Sequence, residues 1–180
     1  MNELKKALNV KLLVIGHKRH AKDTLAEIFR DKFGLTFESS SQAAANIFLY
    51  DLLKDKYGYK TSEECFEDRV NHRPEWYKAI CEYNREDKAR LAKGILKRTQ
   101  CYVGMRDRDE IEECLSQGLF DLIIWVDASD RLPLESSSSF NIDKSCAHII
   151  IENNGTLEEF EERAMRLGKV MCISISLTFH

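Results

Sequence analysis

Residues 11–24 have the sequence Lys-Leu-Leu-Val-Ile-Gly-His-Lys-Arg-His-Ala-Lys-Asp-Thr. The segment begins with a short apolar run, which predicts a buried strand that ends at Gly16. Leu25 and Phe29 fall on one face of the residues that follow, so we predict a helix over 22–32. A strand, a Gly-x-x-x-x-[Gly]-Lys loop and a helix, in that order, form the context in which a phosphate-loop motif is meaningful.

This segment is suited to hold nucleotide phosphate. Backbone N–H groups of such a loop point into one concavity, and the helix dipole adds partial positive charge there. Lys22, at the helix start, can reach the outer phosphates, and the basic side chains before it add charge. A solvated basic loop that merely closes a strand is the alternative, but the strand–loop–helix order favours phosphate binding. The predicted site comprises Gly16, His17, Lys18, Arg19, His20, Ala21, Lys22, Asp23 and Thr24.

Two positions depart from the general motif. Ala21 stands where the motif has its second glycine, and its methyl group is expected to narrow or strain the phosphate cradle. Asp23 follows the lysine where Ser or Thr usually binds Mg²⁺, and Thr24 comes one place later. Thr24 can still donate to a phosphate, while Asp23 is a candidate to hold the ion through water.

The composition narrows the class of protein. The 180 residues, 43% hydrophobic and 32% charged, suggest one soluble domain. Lysine and arginine number 27 against 30 acidic residues, so a polymeric nucleic acid is not the expected partner. The six cysteines form no CxxC pair, which indicates reduced thiols. No apolar run approaches the ~20 residues that span a bilayer, and no signal peptide is evident, so we expect a cytoplasmic protein without a membrane partner.

Strand and helix patterns alternate along the chain, which predicts a parallel sheet of about five strands with helices on both faces. One domain over 1–180 is expected, with a helical insertion at about 39–98. A lid-like loop is expected at about 129–144, which contains Pro133 and the run of four serines at 136–139. The last helix should end at Gly168, and the alternating tail 170–177 predicts an edge strand. The further predicted strands are 35–37, 101–103, 122–126 and 148–151.

Two segments resemble a known family. Lys22-Asp23-Thr24 resembles the Gly-Lys-Asp-Thr segment of bacteriophage-type deoxynucleoside monophosphate kinases, with Ala21 in place of the glycine. Residues 147–159, Ala-His-Ile-Ile-Ile-Glu-Asn-Asn-Gly-Thr-Leu-Glu-Glu, are similar to a stretch shared by those kinases and dephospho-coenzyme A kinases. In these relatives the turn before the last helix lies beside the adenine of ATP. The resemblance therefore implies that the turn Asn153, Asn154 and Gly155 binds the base.

The resemblance implies a three-layer α/β/α P-loop fold with a helical substrate-binding subdomain, and ATP and Mg²⁺ as cofactors. The implied reaction transfers the γ-phosphoryl group of ATP to a (deoxy)nucleoside monophosphate to give the diphosphate. A dephospho-coenzyme A-type kinase of another small acceptor is one alternative. A nucleotide-binding protein that sequesters nucleotides with little turnover is another, because of Ala21. The sequence leaves monomer and homodimer open, and the compartment is the host cytoplasm if a phage encodes the chain.

Three further residues are candidates for catalysis or metal binding. Arg131, at the start of the serine-rich loop, is suited to close over the transferring group with Lys22. Arg106 follows a strand, where strand ends face ligand in open α/β sheets, and is a candidate for both catalysis and substrate binding. Asp127 ends an apolar strand and can order Mg²⁺ through water. An exposed loop arginine and a loop-start aspartate are the alternatives for Arg131 and Asp127.

The acceptor needs cations for its phosphate and a flat surface for its base. Arg73 offers the charge, and Trp76 or Tyr77 offers the ring. Trp76 can equally be a core aromatic of a helical subdomain. Ser40 follows the second predicted strand and is a weaker candidate, since helix capping accounts for the serines there.

Overall fold

The computed structural model describes residues 10–135 and 140–177. Its strands are β1 (Leu12–Ile15), β2 (Phe37–Ser39), β3 (Cys101–Val103), β4 (Leu122–Asp127) and β5 (Ile149–Glu152). Its α-helices are α1 (Lys22–Phe33), α2 (Ser40–Ala44), α3 (Tyr50–Tyr57), α4 (Ser62–Asp68), α5 (Arg73–Tyr83), α6 (Arg90–Leu96), α7 (Arg108–Ser116) and α8 (Leu157–Leu177). A π-helical stretch, Ala45–Leu49, joins α2 to α3, and a 3₁₀ turn, Lys144–Cys146, precedes β5.

The five strands form one parallel sheet in the order β2-β3-β1-β4-β5. Strand β1 lies at its centre and is entirely buried. Because side chains alternate across a strand, Leu12 and Val14 face one layer of helices and Leu13 and Ile15 face the other. Helices α1 and α8 cover the first face, and α6 and α7 cover the second. The predicted sheet with helices on both faces is confirmed.

Local capping fixes several helix starts. At α8 the Thr156 N–H donates to the Glu159 carboxylate at 3.0 Å, and the Glu159 N–H donates to Thr156 Oγ1 at 3.2 Å. This reciprocal pair is a capping box, which a threonine followed three residues later by a glutamate typically forms. The Thr61 hydroxyl accepts from the Glu64 N–H at 3.2 Å at α4, and the Asp107 carboxylate caps α7 in the same way.

Residues 40–96, here named the helical segment, join β2 to β3 and have their own core. Leu49, Leu53, Cys65 and Trp76 pack together there. The segment leaves the sheet at the carboxyl end of β2, and α6 leads back to β3. The helical segment therefore lies at the same edge of the sheet as the basic loop, which follows the carboxyl end of β1.

The predicted tail strand is wrong, because α8 continues through residue 177. Gly168 does not end the helix. A Cβ atom at this position would lie 2.2 Å from the ring of Phe33 in α1, so glycine instead permits close packing of the two helices. Met171, one turn further on, is buried in the same core. The four serines of the predicted lid-like loop, 136–139, lie outside the described residues. In the described parts of the chain, no helix is both long enough and apolar enough to cross a bilayer.

Candidate phosphate-binding site

The basic loop leaves the sheet in tight contact with β4. Gly16 has a φ of 141°, and a Cβ atom built on it would lie 2.5 Å from the Val126 carbonyl oxygen. That oxygen belongs to a backbone paired in register with β1, where Ile15 lies opposite Trp125. Neither strand can move aside independently, so only glycine fits at position 16.

Two residues of the loop other than glycine adopt the left-handed conformation. Arg19 has a φ of 67°, and Ala21 has φ 74° and ψ 35°. An L-residue pays about 1–2 kcal/mol for this conformation, which glycine adopts freely. The α-helix still begins normally, since the Leu25 N–H donates to the Ala21 carbonyl at 3.1 Å. Ala21 therefore keeps the turn of the usual glycine at a cost in strain, while Lys18 and Arg19 hold their side chains exposed.

The ammonium of Lys22 is folded back over the loop. Its Nζ donates to the His17 carbonyl at 2.7 Å. Burial lowers the pKa of Lys22; Asp23 and Glu135 raise it, and the neighbouring cation Arg106 lowers it. This lysine is thus placed among the groups that would surround a bound phosphate, and it can exchange one carbonyl oxygen for a phosphate oxygen.

The predicted cationic contribution of the two loop histidines is wrong. His20 is completely buried, and its Nδ1 accepts a hydrogen bond from the Ala128 N–H at 3.0 Å. Burial lowers the pKa of His20, and burial together with His20 lowers the pKa of His17. The His17 ring packs against the Phe140 ring, and the centroids of the two rings are 4.7 Å apart. The Nδ1 atoms of both histidines accept backbone N–H groups, so the two rings act as packing and hydrogen-bonding groups.

The predicted base-binding turn lies against the loop. The Asn153 side chain is buried and donates to the His20 carbonyl at 3.2 Å, while its N–H donates to the Asp127 carbonyl at 2.6 Å. These two bonds tie the turn Asn153–Gly155 to both the loop and the end of β4. The two segments that carry the family resemblance, distant in the chain, thus meet in space.

Arg131 lies beside that turn. Its Nε donates to the Asn153 carbonyl at 2.6 Å, and the Asp130 N–H donates to the Asn154 side-chain oxygen at 3.1 Å. Both bonds hold the first part of the 129–144 loop against the turn. The predicted role of Arg131 over the transferring phosphate stays a prediction.

Asp127 is already engaged. Its carboxylate accepts from Lys144 Nζ at 2.5 Å and from the Ser129 N–H at 3.2 Å. Burial alone would raise the pKa of Asp127, but these donors outweigh it and hold the pKa below its usual value. Over residues 10–135 and 140–177, no three His, Cys, Asp or Glu side chains are grouped as a protein-only metal site. Magnesium binding by Asp23 and Asp127 stays a prediction.

A residue that sequence reasoning missed, Glu135, enters the site beside Arg106. Its carboxylate forms an ion pair with the Arg106 guanidinium and accepts from the Lys18 N–H at 3.3 Å. The Glu135 N–H donates to His17 Nδ1 at 3.0 Å. No local pattern distinguishes this glutamate, because only the folding of the 129–135 segment over the loop brings it here. Arg106, which follows β3, contacts Glu135 and lies near Lys22; its catalytic and substrate-binding roles stay predictions.

On the acceptor side, the predicted stacking role of Trp76 is wrong. Its side chain is 4% exposed and packs with Leu49 in the core of the helical segment, so a substrate base cannot reach it. Tyr77, the next residue, is 52% exposed and remains available. The Ser40 hydroxyl donates to the Gly104 carbonyl at 3.4 Å and so lies at the end of β3.

One arginine of the helical segment, Arg69, interacts with a charged residue at the start of α1. The Arg69 guanidinium lies over the ring of Phe66, 3.7 Å from its centroid, and is half-buried. Burial and the charge of Arg73 lower the pKa of Arg69, whereas Asp23 raises it. Arg69 is therefore near enough to both Arg73 and Asp23 to interact with each of them. Sequence reasoning identified Arg73 and missed Arg69.

No protein-family model and no curated protein sequence matches the chain. Among solved structures, one similar structure is a gluconokinase from Sinorhizobium meliloti 1021. The match covers 97% of this chain and 100% of the gluconokinase chain, with 15% sequence identity and a TM-score of 0.50. The match to a shikimate kinase from Bacteroides thetaiotaomicron covers 90% of this chain and 98% of the shikimate kinase chain, with 10% sequence identity and a TM-score of 0.46.

The gluconokinase likeness, together with the sheet order, shows the fold. The chain has a three-layer α/β/α fold around a five-stranded parallel sheet, as the sequence predicts. At 15% identity the likeness establishes the fold and leaves the reaction open.

Proposed function

We propose that this chain is an ATP-dependent phosphotransferase that acts on a small anionic acceptor, and specifically a (deoxy)nucleoside monophosphate kinase. The observation that carries the proposal is the hydrogen bond from the Asn153 side chain to the His20 carbonyl. It joins the two segments of kinase resemblance, so one ligand can span the phosphate loop and the base turn. The gluconokinase that shares the fold is itself named as a kinase, which agrees with a phosphotransferase.

The loop fits the triphosphate of ATP. A carboxylate, that of Glu135, already accepts the Lys18 N–H, which supports an anion at this position. Lys22 and the loop amides would bind the outer phosphates, and Asn153–Gly155 would lie at the base. Arg131, bonded to the Asn153 carbonyl, is better placed to flank the base than to cover the phosphates.

Magnesium would be held mainly by phosphate oxygens, with Thr24 and Asp23 at the helix start and Asp127 through water. Mg²⁺ keeps several waters and needs one or two carboxylates beside the phosphates, which this set provides. When bound, the ion would neutralise phosphate charge.

The acceptor would bind between the loop and the helical segment. Arg106 at the end of β3 supplies a cation near Lys22, while Arg69, which interacts with both Asp23 and Arg73, supplies a cation from the helical segment. Phosphoryl transfer requires positioning and charge neutralisation more than covalent catalysis. An acceptor that carries its own phosphate suits three arginines better than a neutral sugar does.

A coupled ADP-release assay over all common ribo- and deoxyribonucleoside monophosphates tests the assignment. Dephospho-coenzyme A, gluconate and shikimate serve as competing acceptors. We expect ADP release with at least one deoxynucleoside monophosphate and none with the three others. Turnover with dephospho-coenzyme A alone would instead support the small-acceptor alternative.

The phosphate loop itself is tested by Lys22→Ala. Because a hydrogen bond to a charged group contributes about 1.5–3 kcal/mol, ATP affinity should fall at least roughly tenfold in calorimetry. Lys32→Ala is the matched control, since Lys32 is an exposed lysine in the last turn of the same helix. Equal ATP affinity in both variants would remove the phosphate-loop assignment.

One observation favours the sequestering alternative: Ala21 holds a left-handed conformation, with φ 74°, where glycine is unstrained. If the native protein binds ATP without turnover and Ala21→Gly gains ADP release, the loop substitution limits catalysis. If neither protein releases ADP with any acceptor while both bind ATP, the chain is a nucleotide-binding protein and the kinase proposal fails.

A further inference from the structure

Glu135 places a negative charge inside the phosphate loop. Its side chain is 15% exposed, and it accepts a hydrogen bond from the Lys18 N–H, a backbone donor of the loop itself. The same carboxylate forms an ion pair with Arg106, and its negative charge raises the pKa of Lys22. These are a loop amide and two cations, the kinds of group that bind phosphate oxygens.

The position of Glu135 is fixed by its backbone as well as by its carboxylate. Its N–H donates to His17 Nδ1 at 3.0 Å, so the chain itself is anchored to the loop. On the other side of residues 136–139, the Phe140 ring packs on His17, and the Asn141 N–H donates to the Arg106 carbonyl at 3.2 Å. The residues just before 136–139 and those just after thus contact the same two residues of the site, His17 and Arg106.

A carboxylate and a phosphate cannot share these donors. Two anions within one loop would repel each other, and each would lose part of the favourable field of the helix start. A bound phosphate must therefore displace the Glu135 side chain and take over its donors. Once displaced, Glu135 frees Arg106 to meet the incoming anion.

We propose that Glu135 is an internal competitor for the phosphate loop: its carboxylate occupies the anion site of the ligand-free protein and lowers the affinity for phosphate ligands until they displace it. The proposal rests on the proposed phosphate-binding function of the loop and describes the regulation of that site. The apparent dissociation constant of any phosphate ligand is then the intrinsic one divided by the fraction of open molecules.

The test measures pyrophosphate and ATP binding by calorimetry in the native protein, Glu135→Gln and Glu135→Asp. The aspartate keeps the charge but is one methylene shorter, so it separates loss of contact from loss of charge. Glu161→Gln is the control, since Glu161 is an exposed carboxylate on α8 and its removal changes the net charge equally.

We expect both Glu135 variants to bind pyrophosphate and ATP about tenfold more tightly, which corresponds to a roughly ten-to-one preference for the occupied loop. Glu161→Gln should change affinity less than about twofold, because it lies outside the site. If the native protein binds ATP and both Glu135 variants bind it equally or more weakly, Glu135 does not compete with phosphate ligands. The proposed function of the chain is unaffected by that result. If neither the native protein nor any variant binds either ligand, the phosphate-loop function fails and the competitor with it.

Discussion

Gly16→Ala is the substitution with the largest expected cost. The new methyl carbon would lie 2.5 Å from the Val126 carbonyl oxygen, whereas ordinary van der Waals contact starts near 3.4 Å. The overlap falls on backbone of β4, which is paired with both β1 and β5 and cannot rotate away as a side chain can. The φ of 141° adds strain, because an L-residue rarely adopts it.

Overpacking costs about 1–3 kcal/mol, and a strained backbone dihedral adds about 1–3 kcal/mol. The expected loss in the free energy of unfolding is therefore about 2–6 kcal/mol. For a chain of this length each kcal/mol lowers the melting temperature by about 2–4 °C, so a drop of roughly 10 °C is the central expectation. Urea denaturation and calorimetry measure both quantities, and any folded fraction should bind ATP poorly because the loop is displaced.

Gly118→Ala is the control for the dihedral alone. Gly118 has a φ of 63°, and no atom lies within 4 Å of a Cβ built there, so the cost should be only about 1–2 kcal/mol. If Gly16→Ala loses no more than Gly118→Ala, the close approach to Val126 is not a constraint on the loop. The account of position 16 would then be incorrect.

Two further substitutions test the packing and the histidines. Gly168→Ala should lower the free energy of unfolding, measured in urea, by about 1–2 kcal/mol, because the cost of overlap with the Phe33 ring exceeds the gain in helix propensity. Gly94→Ala is the control: its new methyl group would meet only the end of the Ile47 side chain, so this substitution should be neutral or stabilising. Burial places the pKa of His20 below its usual value of 6.5. Below about pH 6.5 the unfolded chain therefore binds a proton at this histidine that the folded chain does not, so the free energy of unfolding decreases as the pH falls. The contribution of this group is at most about 1.4 kcal/mol per pH unit. His20→Asn should flatten that slope in urea titrations at pH 5.5 and 7.5, and an unchanged slope would show that His20 does not resist protonation.

The sheet could be predicted because its determinants are local. Short apolar runs that end in glycine or polar residues mark each central strand, and the capping box at Thr156 marks α8 independently. The tail was mispredicted because 170–177 alternates apolar and polar residues, which suits a strand. Helix–helix packing decides the outcome instead: Met171 is buried against α1, and Gly168 permits the approach.

The place of a side chain in the candidate site could be predicted only where the side chain directly follows a strand or a loop motif. The places of Lys22 and Arg106 follow from β1 and β3, and their roles stay predictions. The lowered pKa of His20 does not follow from its place in the sequence, because it depends on burial against Ala128, a residue distant in the chain. Glu135 reaches the loop through tertiary folding alone, and no sequence spacing encodes that contact.

The surroundings of the loop explain how alanine can persist at position 21. Strained residues persist when neighbouring structure over-determines their conformation. Three bonds from outside do so here: the Ala128 N–H to His20 Nδ1, the Asn153 amide to the His20 carbonyl, and the Glu135 N–H to His17 Nδ1. At about 0.5–1.5 kcal/mol each, they can offset a left-handed strain of about 1–2 kcal/mol. The shape of the loop therefore does not depend on glycine at position 21, and the N–H groups that we propose to bind phosphate can keep their direction with alanine there.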